Sequence, residues 1–377
     1  MPEISSSMDN KFFLIIPLGF ESLAKDELLE KWAIHFPEIT PPALEIIPGG
    51  ISLETDLVIG ASLNLILKIP TRILLRLDTF KCRDFPKLYN KVIKLNWNSY
   101  LLGKLPEINA TSKTSRIFDS RKIEKCFHDG ILEYYKRQPP KKKNLEKNGP
   151  LFSLFIRFEN DECTISIDTS GEALFKRGIK TLVSKAPLRE NLAAGLLYFI
   201  KKELKTEIET LIDPMCGSGT FLFESQSFFD LNNKRKFDFE FFPLFEKLKL
   251  PALNGSHKGL FSNHLGFDID EKIINSAKKN LAGLSVSNIS FAKRDLFSKE
   301  IHKESPNVVI INPPYGIRID IKEDLEPYFK KIILKIKETY SPKLLGIIIP
   351  SETKLKLGKK LSFKNGGIKV NFWVFKP

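Results

Sequence analysis

The segment LIDPMCGSGT, residues 211–220, gives the clearest indication of how this chain folds. Leu211 and Ile212 are typical of the end of a buried strand, and a helical pattern begins at Thr220. Two glycines in the turn between them permit a tight backbone that a ligand can approach, at the carboxyl edge of a parallel sheet. The segment therefore predicts a ligand-binding turn in an α/β domain.

After Pro187, helical segments alternate with short, almost wholly apolar segments, which is typical of buried parallel strands. We expect strands at residues 211–212, 265–267, 289–291, 308–311 and 344–349, and helices at residues 188–204, 220–229, 271–281 and 325–340. A final strand at 368–375 is expected at an antiparallel edge, and residues 230–258 are expected to form a surface insertion. This pattern predicts a doubly wound, Rossmann-like α/β domain.

The first part of the chain is expected to contain two small α+β units. The first has strands at residues 12–17, 44–47 and 51–54 and helices at 20–29 and 57–68, and the second has strands at 72–81, 151–159 and 163–168 and helices at 85–94 and 117–136. The connection at 136–144 holds Pro139-Pro140 inside a basic run, so it cannot be a helix interior. A solvated loop and an arm that contacts phosphates both remain open for it.

Composition limits the classes of protein. The 377 residues are 42% hydrophobic, enough for two or three domains, and no run of residues is apolar enough for a membrane span. No leader pattern precedes Lys11, so we expect a cytoplasmic protein. The four cysteines and five histidines lack paired spacing, which indicates no disulfide framework and no metal site. The net charge of +14 fits a nucleic-acid binder, although a Lys-rich composition alone also explains it.

The glycine-rich turn and the two strands that follow it carry three carboxylates suited to S-adenosylmethionine. Asp213 can accept a hydrogen bond from the ammonium group of this cofactor, whose methionine part can lie against the amides near Gly217 and Gly219. Asp268 ends the next strand, where it can accept from both ribose hydroxyls, and Asp295 can accept from the adenine amine. The same turn adds three further residues to the predicted cofactor site: Pro214, Cys216 and Thr220.

Other nucleotide cofactors fit this turn less well. It lacks the Gly-Lys-Ser/Thr ending of a triphosphate-binding loop and the third glycine of a dinucleotide fingerprint. ATP and NAD are therefore disfavoured.

The most specific motif is Asn312-Pro313-Pro314-Tyr315, directly after the apolar run 308–311. An amine on an aromatic ring is a poor nucleophile because its lone pair is delocalised. If the Asn312 side chain and the Pro313 carbonyl each accept one N–H, the lone pair can point at a sulfonium methyl. Tyr315 can stack on the base and hold it outside its helix. We predict these four residues as the catalytic pocket of an amino-group methyltransferase, with Asn312 also beside the cofactor.

With these motifs, the chain resembles the THUMP-containing class I RNA methyltransferases, most closely the bacterial family that methylates guanine N2 in 23S rRNA. The resemblance covers nearly the whole length. Beyond the two motifs it rests on residues 12–28, Pro48-Gly49-Gly50-Ile51, Asn96-Trp97, Asp168-Thr169-Ser170-Gly171, residues 174–178 and 186–194, and Lys364-Asn365-Gly366. It implies a ferredoxin-like subdomain at 1–68, an RNA-gripping THUMP domain at 69–172 and a seven-stranded methyltransferase domain at 173–377.

Two positions depart from the family pattern. Asn191 stands where the family commonly has threonine, which puts in doubt a cofactor contact from that helix, and Ile317 stands where a charged residue is expected.

The predicted function is methylation of the N2 amine of a guanine in 23S rRNA, with tRNA guanine N2 as the alternative. A DNA adenine-N6 methyltransferase would share Asn312 to Tyr315, but no DNA-reading element is visible. A non-catalytic RNA-binding scaffold would not need both motifs. The choice of guanine N2 over adenine N6 rests on the resemblance, because the four residues suit either amine. The expected partner is RNA, and the sequence does not indicate an oligomeric state.

Overall fold

The computed structural model describes residues 10–145, 149–178, 188–206, 208–256, 258–284, 286–298, 307–315 and 325–377. The first part of the chain contains β1 (Asn10–Ile15), α1 (Glu21–His35), β2 (Leu44–Ile47), β3 (Gly50–Thr55), α2 (Leu57–Ile66), β4 (Arg72–Lys81), α3 (Phe85–Lys94), β5 (Glu107–Lys113), α4 (Ser120–Arg137), α5 (Lys142–Leu145), β6 (Ser153–Glu159) and β7 (Glu162–Asp168). The second part contains α6 (Glu190–Glu203), β8 (Thr210–Asp213), α7 (Thr220–Gln226), β9 (Asn263–Asp268), α8 (Glu271–Ala282), β10 (Ile289–Lys293), β11 (Asn307–Ile311), α9 (Leu325–Tyr340), β12 (Leu344–Pro350), β13 (Lys359–Asn365) and β14 (Ile368–Phe375). Short 3-10 helices lie at Trp97–Ser99, Asp238–Phe241 and Pro243–Phe245.

The first of two seven-stranded sheets runs through both predicted α+β units without a break, in the order β2-β3-β1-β4-β7-β6-β5. β4 pairs antiparallel with β1 on one side and with β7 on the other. Phe12 of β1 is fully buried and packs against Gly60 of α2, where an added Cβ would lie 2.0 Å from the Phe12 ring. The two units therefore share one hydrogen-bonded sheet.

Three details of this first half differ from the sequence prediction. β5 was not predicted, because its polar sequence EINATSK is stabilised by pairing with β6 at the sheet edge. α4 begins at Ser120 and not at residue 117, because the Asp119 carboxylate accepts hydrogen bonds from the amides of Arg121 (3.0 Å) and Lys122 (3.3 Å). In the basic connection, the short helix α5 was not predicted; Pro139-Pro140 separates it from the end of α4.

The second sheet confirms the doubly wound architecture. Its order is β10-β9-β8-β11-β12-β14-β13, in which the first five strands are parallel and β14 runs antiparallel to both of its neighbours, β12 and β13. The prediction that β14 forms the edge was wrong, since β14 lies between β12 and β13. Gly366 (φ 58°) and Gly367 (φ 91°) form the turn of this hairpin. β13 was not recognised because its sequence, KKLSFKN, is largely polar and suits an edge strand.

The prediction of a surface insertion at 230–258 needs correction. It does interrupt the connection between α7 and β9, but Phe237, Phe239 and Phe242 are at most 1% exposed. The Phe239 amide donates to the Thr169 carbonyl (3.1 Å), and the ring of Phe242 lies 5.2 Å from that of Phe152. Aromatic burial therefore docks the insertion onto the first sheet, which the local sequence pattern does not reveal.

Buried polar groups join the two halves of the chain. In the first half, the Glu27 carboxylate accepts from the amides of Lys68 (2.6 Å) and Ile69 (2.9 Å). In the second half, Arg177 forms an ion pair with Glu224 on α7 (2.9 Å). Arg177 also donates to the Lys68 carbonyl (2.8 Å). Because buried charges need such partners, this network restricts how the two halves can be arranged.

Candidate active site

The candidate site lies where β8, β9 and β11 end. Strand β8 lies between β9 and β11, and all three run parallel, so the residues at their carboxyl ends meet at one edge of the sheet. Asp213 is the last residue of β8, Asp268 the last of β9, and Asn312 follows β11 directly. The strand order thus brings together two predicted cofactor residues and the first residue of the predicted catalytic motif.

The turn between β8 and α7 depends on its glycines. Gly217 (φ 54°) and Gly219 (φ 86°) both adopt left-handed conformations. A Cβ atom on Gly219 would lie 2.7 Å from the Phe291 ring on β10, so this position is also sterically restricted. The Cys216 amide donates to the Phe267 carbonyl (2.8 Å), which ties the turn to the end of β9.

Two carboxylates organise this edge. Asp268 accepts from the amides of Gly217 (3.0 Å) and Asp270 (3.0 Å), and Asp213 accepts from the Met215 amide (3.1 Å). Asp213 is only 2% exposed, and burial, together with the nearby Asp268 charge, raises its pKa well above the usual value. A cation placed beside these groups would favour the ionised form of Asp213. The site is therefore suited to a positively charged ligand.

Asn312 and Ser218 each carry a buried oxygen with no hydrogen-bond partner in the described part of the chain. Among the described residues, the buried Asn312 Oδ1 and Ser218 Oγ make no hydrogen bond. An unpaired buried polar atom costs about 1–3 kcal/mol, so a ligand that donates to these oxygens would recover that free energy. Ser218 was not predicted as a site residue, although its place between Gly217 and Gly219 was a usable signal.

Tyr315 contacts a residue that lies far from it in the sequence. The Asn365 side-chain amide, at the end of β13, donates to the Tyr315 hydroxyl (2.7 Å). Tyr315 also packs beside the buried cores on both faces of the second sheet. This contact was not predicted, because the sequence places the two residues in separate elements.

Asp295 has a local role in this structure. It is exposed, and its carboxylate accepts from the Phe297 amide (2.9 Å), as in a turn. Its neighbour Arg294 stacks on Phe267, with its guanidinium carbon 3.8 Å from the ring centroid. The predicted contact of Asp295 with adenine stays a prediction.

The remaining predicted cofactor residues line the same turn. Cys216 is 6% exposed and Thr220 is 7% exposed at the start of α7, while burial raises the pKa of the Cys216 thiol. The pyrrolidine of Pro214 follows β8 directly.

Asn191 contributes to the junction between the two halves. Its side-chain amide donates to the Ile69 carbonyl (3.3 Å) and to the Thr71 hydroxyl (3.2 Å). This departure from the family pattern therefore contacts the first half of the chain and not the catalytic turns.

The histidines and cysteines supply no metal-binding cluster in the described part of the chain. Burial lowers the pKa of His264 to about 4, and its ring lies 2.8 Å from the Ser225 hydroxyl. All four cysteines are buried with free thiols. Over the same ranges, no helix is long and apolar enough to cross a membrane. Three residues discussed above, Ala186, Pro187 and Ile317, lie outside the described residues. So do two of the five histidines, His257 and His302.

Two family profiles match the chain. The profile described as THUMP domain matches residues 82–168, and the profile described as RMKL-like, methyltransferase domain matches residues 177–361.

Curated relatives share about a quarter of the sequence. Ribosomal RNA large subunit methyltransferase K/L from Colwellia psychrerythraea is 27% identical over 375 residues, which cover 94% of this chain and 51% of that protein. The protein of the same name from Marinomonas sp. is 28% identical over 320 residues, covering 80% of this chain and 43% of that protein. The chain spans about half the length of these relatives.

Solved structures match over almost the whole chain. A possible methylase from Clostridium difficile 630 has a TM-score of 0.77 and 25% identity, with 98% of each chain covered. TrmN from Thermus thermophilus has a TM-score of 0.67 at 16% identity, covering 97% of this chain and 99% of that one. At this low identity, the match to TrmN shows a shared fold.

Proposed function

The chain belongs to the methyltransferases that combine a THUMP domain with an RMKL-like methyltransferase domain, and from this we propose that it methylates the N2 amine of a guanine in large-subunit rRNA. The proposal includes S-adenosylmethionine as the methyl donor. It also assigns catalysis to Asn312, Pro313, Pro314 and Tyr315.

One observation carries the proposal. Asn312 Oδ1 is a buried acceptor with no hydrogen-bond partner among the described residues, and it stands at the edge of the sheet shared with Asp213 and Asp268. A purely structural turn would satisfy this oxygen or expose it to water. An acceptor kept unpaired next to a cation-suited site supports a role in receiving the N–H of a substrate amine.

The residues at the ends of β8 and β9 fit S-adenosylmethionine. The buried Asp213 carboxylate suits the ammonium group, and the Ser218 hydroxyl is available to the carboxylate of the methionine part. Gly217 and Gly219 keep side chains away from the turn, and Asp268 retains acceptor capacity for ribose hydroxyls beyond its two amide contacts. When bound, this cofactor supplies an electrophilic methyl group on a positively charged sulfur.

The protein groups around the amine supply orientation. We assign one N–H of the amine to Asn312 Oδ1 and the other to the Pro313 carbonyl, which draws the nitrogen lone pair out of the ring. Tyr315, held by Asn365, stacks on the base. Such positioning accounts for most of the catalysis expected in a displacement that needs no protein nucleophile.

RNA is the proposed substrate because a THUMP profile covers residues 82–168 and the chain is strongly basic. Large-subunit rRNA is favoured by the names of the curated relatives, and guanine N2 by the family resemblance. We place the protein in the cytoplasm together with this substrate.

Nucleoside mass spectrometry of cells that lack the gene tests the proposal. We expect one N2-methylguanosine to disappear from large-subunit rRNA and to return when the intact gene, but not an Asn312→Ala version, is supplied. Loss of a methyl group from tRNA alone would overturn the assignment to rRNA. Loss of N6-methyladenine from DNA would overturn the assignment to RNA.

A further inference from the structure

A group of cations lies where the first half of the chain meets the insertion of the methyltransferase domain. We call it the basic seam: residues 94–104, 133–145 and 246–249. These segments contain nine cations, Lys94, Lys104, Lys136, Arg137, Lys141, Lys142, Lys143, Lys247 and Lys249, all of them exposed. They contain two carboxylates, Glu133 and Glu246. The excess of positive charge is much larger than in the chain as a whole.

Contacts between the three segments show that they form one surface. The Asn98 side chain donates to the Gln138 carbonyl (3.0 Å), and a Cβ on Gly103 would lie 3.0 Å from Pro140. Lys143 forms an ion pair with Glu246 in the insertion (2.6 Å). The seam therefore links the end of α4, the loop after α3 and the insertion.

The pairing of charges leaves most of the seam uncompensated. Glu133 forms ion pairs with Lys136 (3.7 Å) and Arg137 (2.9 Å), and Glu246 forms an ion pair with Lys143. Within the described part of the chain, the other six cations form no ion pair within 4.0 Å: Lys94, Lys104, Lys141, Lys142, Lys247 and Lys249. Lys94 also suits the carbonyl end of α3, whereas Pro139-Pro140 separates Lys141 from α4 and the two insertion lysines follow only a three-residue 3-10 helix.

The insertion that carries Lys247 and Lys249 begins and ends away from the catalytic edge. The insertion follows the end of α7, where the Ser225 carbonyl accepts from the Leu260 amide (2.9 Å) and the Ser225 hydroxyl meets His264. His264 is near the start of β9, at the edge opposite Asp268. Changes in the seam should therefore leave the cofactor site intact.

We propose that the basic seam holds the phosphodiester backbone of the substrate RNA, with lysines from both domains contacting one RNA. The inference rests on the proposed function, because it takes RNA as the substrate. Clustered cations with few carboxylate partners release counterions when they bind a polyanion, which favours RNA binding at the seam.

The test compares two pairs of exposed lysines. Lys141→Gln with Lys142→Gln removes two seam charges, and Lys278→Gln with Lys279→Gln removes two from α8 as the matched control. Binding to a fluorescein-labelled stem-loop RNA is measured by anisotropy over a range of salt concentrations. We expect on the order of tenfold weaker binding for the seam pair and a salt slope smaller by roughly two, with unchanged cofactor affinity.

Glu246→Gln should change RNA affinity in the opposite direction. It releases Lys143 and adds positive charge, so RNA binding should tighten roughly threefold, an outcome that misfolding cannot produce. Equal losses for the two lysine pairs, or no tightening in Glu246→Gln, would overturn the seam proposal. If the intact protein methylates a 23S rRNA transcript in that case, the proposed function still stands.

A second, independent observation concerns Asn365. Its amide is 2.7 Å from the Tyr315 hydroxyl, and it is the last residue of β13, directly before the turn formed by Gly366 and Gly367. The pairing of β13 with β14 fixes its backbone, since Asn365 faces Ile368 across the hairpin. The geometry assigns Asn365 as a positioning residue that orients Tyr315, and this too rests on the proposed role of Tyr315.

A double-mutant cycle tests this assignment. Asn365→Ala and Tyr315→Phe should each lower kcat/KM for RNA roughly five- to tenfold, and the double variant should be no worse than either. Ser362→Ala, which removes another hairpin hydrogen bond (2.7 Å, to Asn371), is the matched control and should keep full activity. Multiplicative losses in the double variant, or an equal loss in Ser362→Ala, would overturn the assignment. A Tyr315→Phe variant with full activity would also overturn the assignment, because it lacks only the hydroxyl that Asn365 holds and keeps the ring that stacks on the base.

Discussion

At the scale of single residues, two features of the candidate site cost free energy in the ligand-free protein. Asn312 Oδ1 is buried without a partner in the described structure, and Asp213 is a buried carboxylate close to Asp268. Each feature lowers the stability of the ligand-free protein. Both would become favourable when a cation and an N–H donor enter, which is typical of a pre-organised site.

Substitutions at Asn312 and Asp268 should affect catalysis and cofactor binding differently. We expect Asn312→Ala to lower kcat at least about a hundredfold with cofactor affinity almost unchanged, because it removes an acceptor for the substrate amine. The same change should keep or raise the free energy of unfolding by about 1 kcal/mol, since it deletes an unpaired buried atom. Asp268→Ala should mainly weaken cofactor binding, because Asp268 also holds the Gly217 amide.

Isothermal titration with S-adenosylmethionine and single-turnover methylation of a 23S rRNA transcript measure these effects. Weakened cofactor binding with normal turnover in Asn312→Ala would contradict its assigned role.

At the scale of helices and strands, local chemistry explains most boundaries. Asp56 begins α2 by accepting from the amides of Val58 (2.8 Å) and Ile59 (3.2 Å), as Asp119 does for α4. The edge strands β5 and β13 depend on their neighbours instead. Their polar sequences carry little intrinsic preference, so pairing decides their structure.

The packing of α6 against the first half of the chain leaves no room at Gly195. A Cβ there would lie 2.3 Å from the Phe20 ring, and we expect Gly195→Ala to lower the free energy of unfolding by about 1–3 kcal/mol. Gly283→Ala is the control, because a Cβ at Gly283 meets only the Asn280 carbonyl at 3.6 Å. Urea unfolding followed by circular dichroism measures both. Equal stability of the two variants would show that Phe20 can move aside.

At the scale of the whole molecule, the insertion is held against the first sheet by charged groups as well as by aromatic rings. Arg235 donates to the Ser170 and Ala173 carbonyls (2.6 and 2.9 Å), and Arg72 pairs with Asp168. Asp238 lies in the same cluster and is 7% exposed. Burial and the nearby Asp168 carboxylate raise its pKa to about 7.

This raised pKa makes the stability of the molecule depend on pH. The folded-state pKa of Asp238 lies above its unfolded value, so its contribution is fully present below about pH 4 and is lost as the pH rises through about 7. Asp238→Asn should therefore stabilise the protein at pH 8, by up to about 4 kcal/mol, and have little effect at pH 4. Urea unfolding at both pH values tests this. A pH-independent difference between the variant and the original protein would exclude titration of Asp238 as the cause.

The sequence by itself determined the doubly wound sheet and the positions of the two motifs after β8 and β11. These features follow from local properties: apolar runs mark buried strands, glycines permit the turn at 217–219, and prolines restrict the backbone after Asn312. The family resemblance added the THUMP domain.

Only the tertiary structure decided the features that join distant segments. The Asn365–Tyr315 hydrogen bond, the Lys143–Glu246 ion pair and the single sheet shared by β1, β4 and β7 each connect residues far apart in the chain. No local pattern encodes such a contact, because it depends on how whole elements pack and on which polar groups are then left buried together. For the same reason, only the surrounding structure shows that Asn312 Oδ1 has no hydrogen-bond partner within the described ranges.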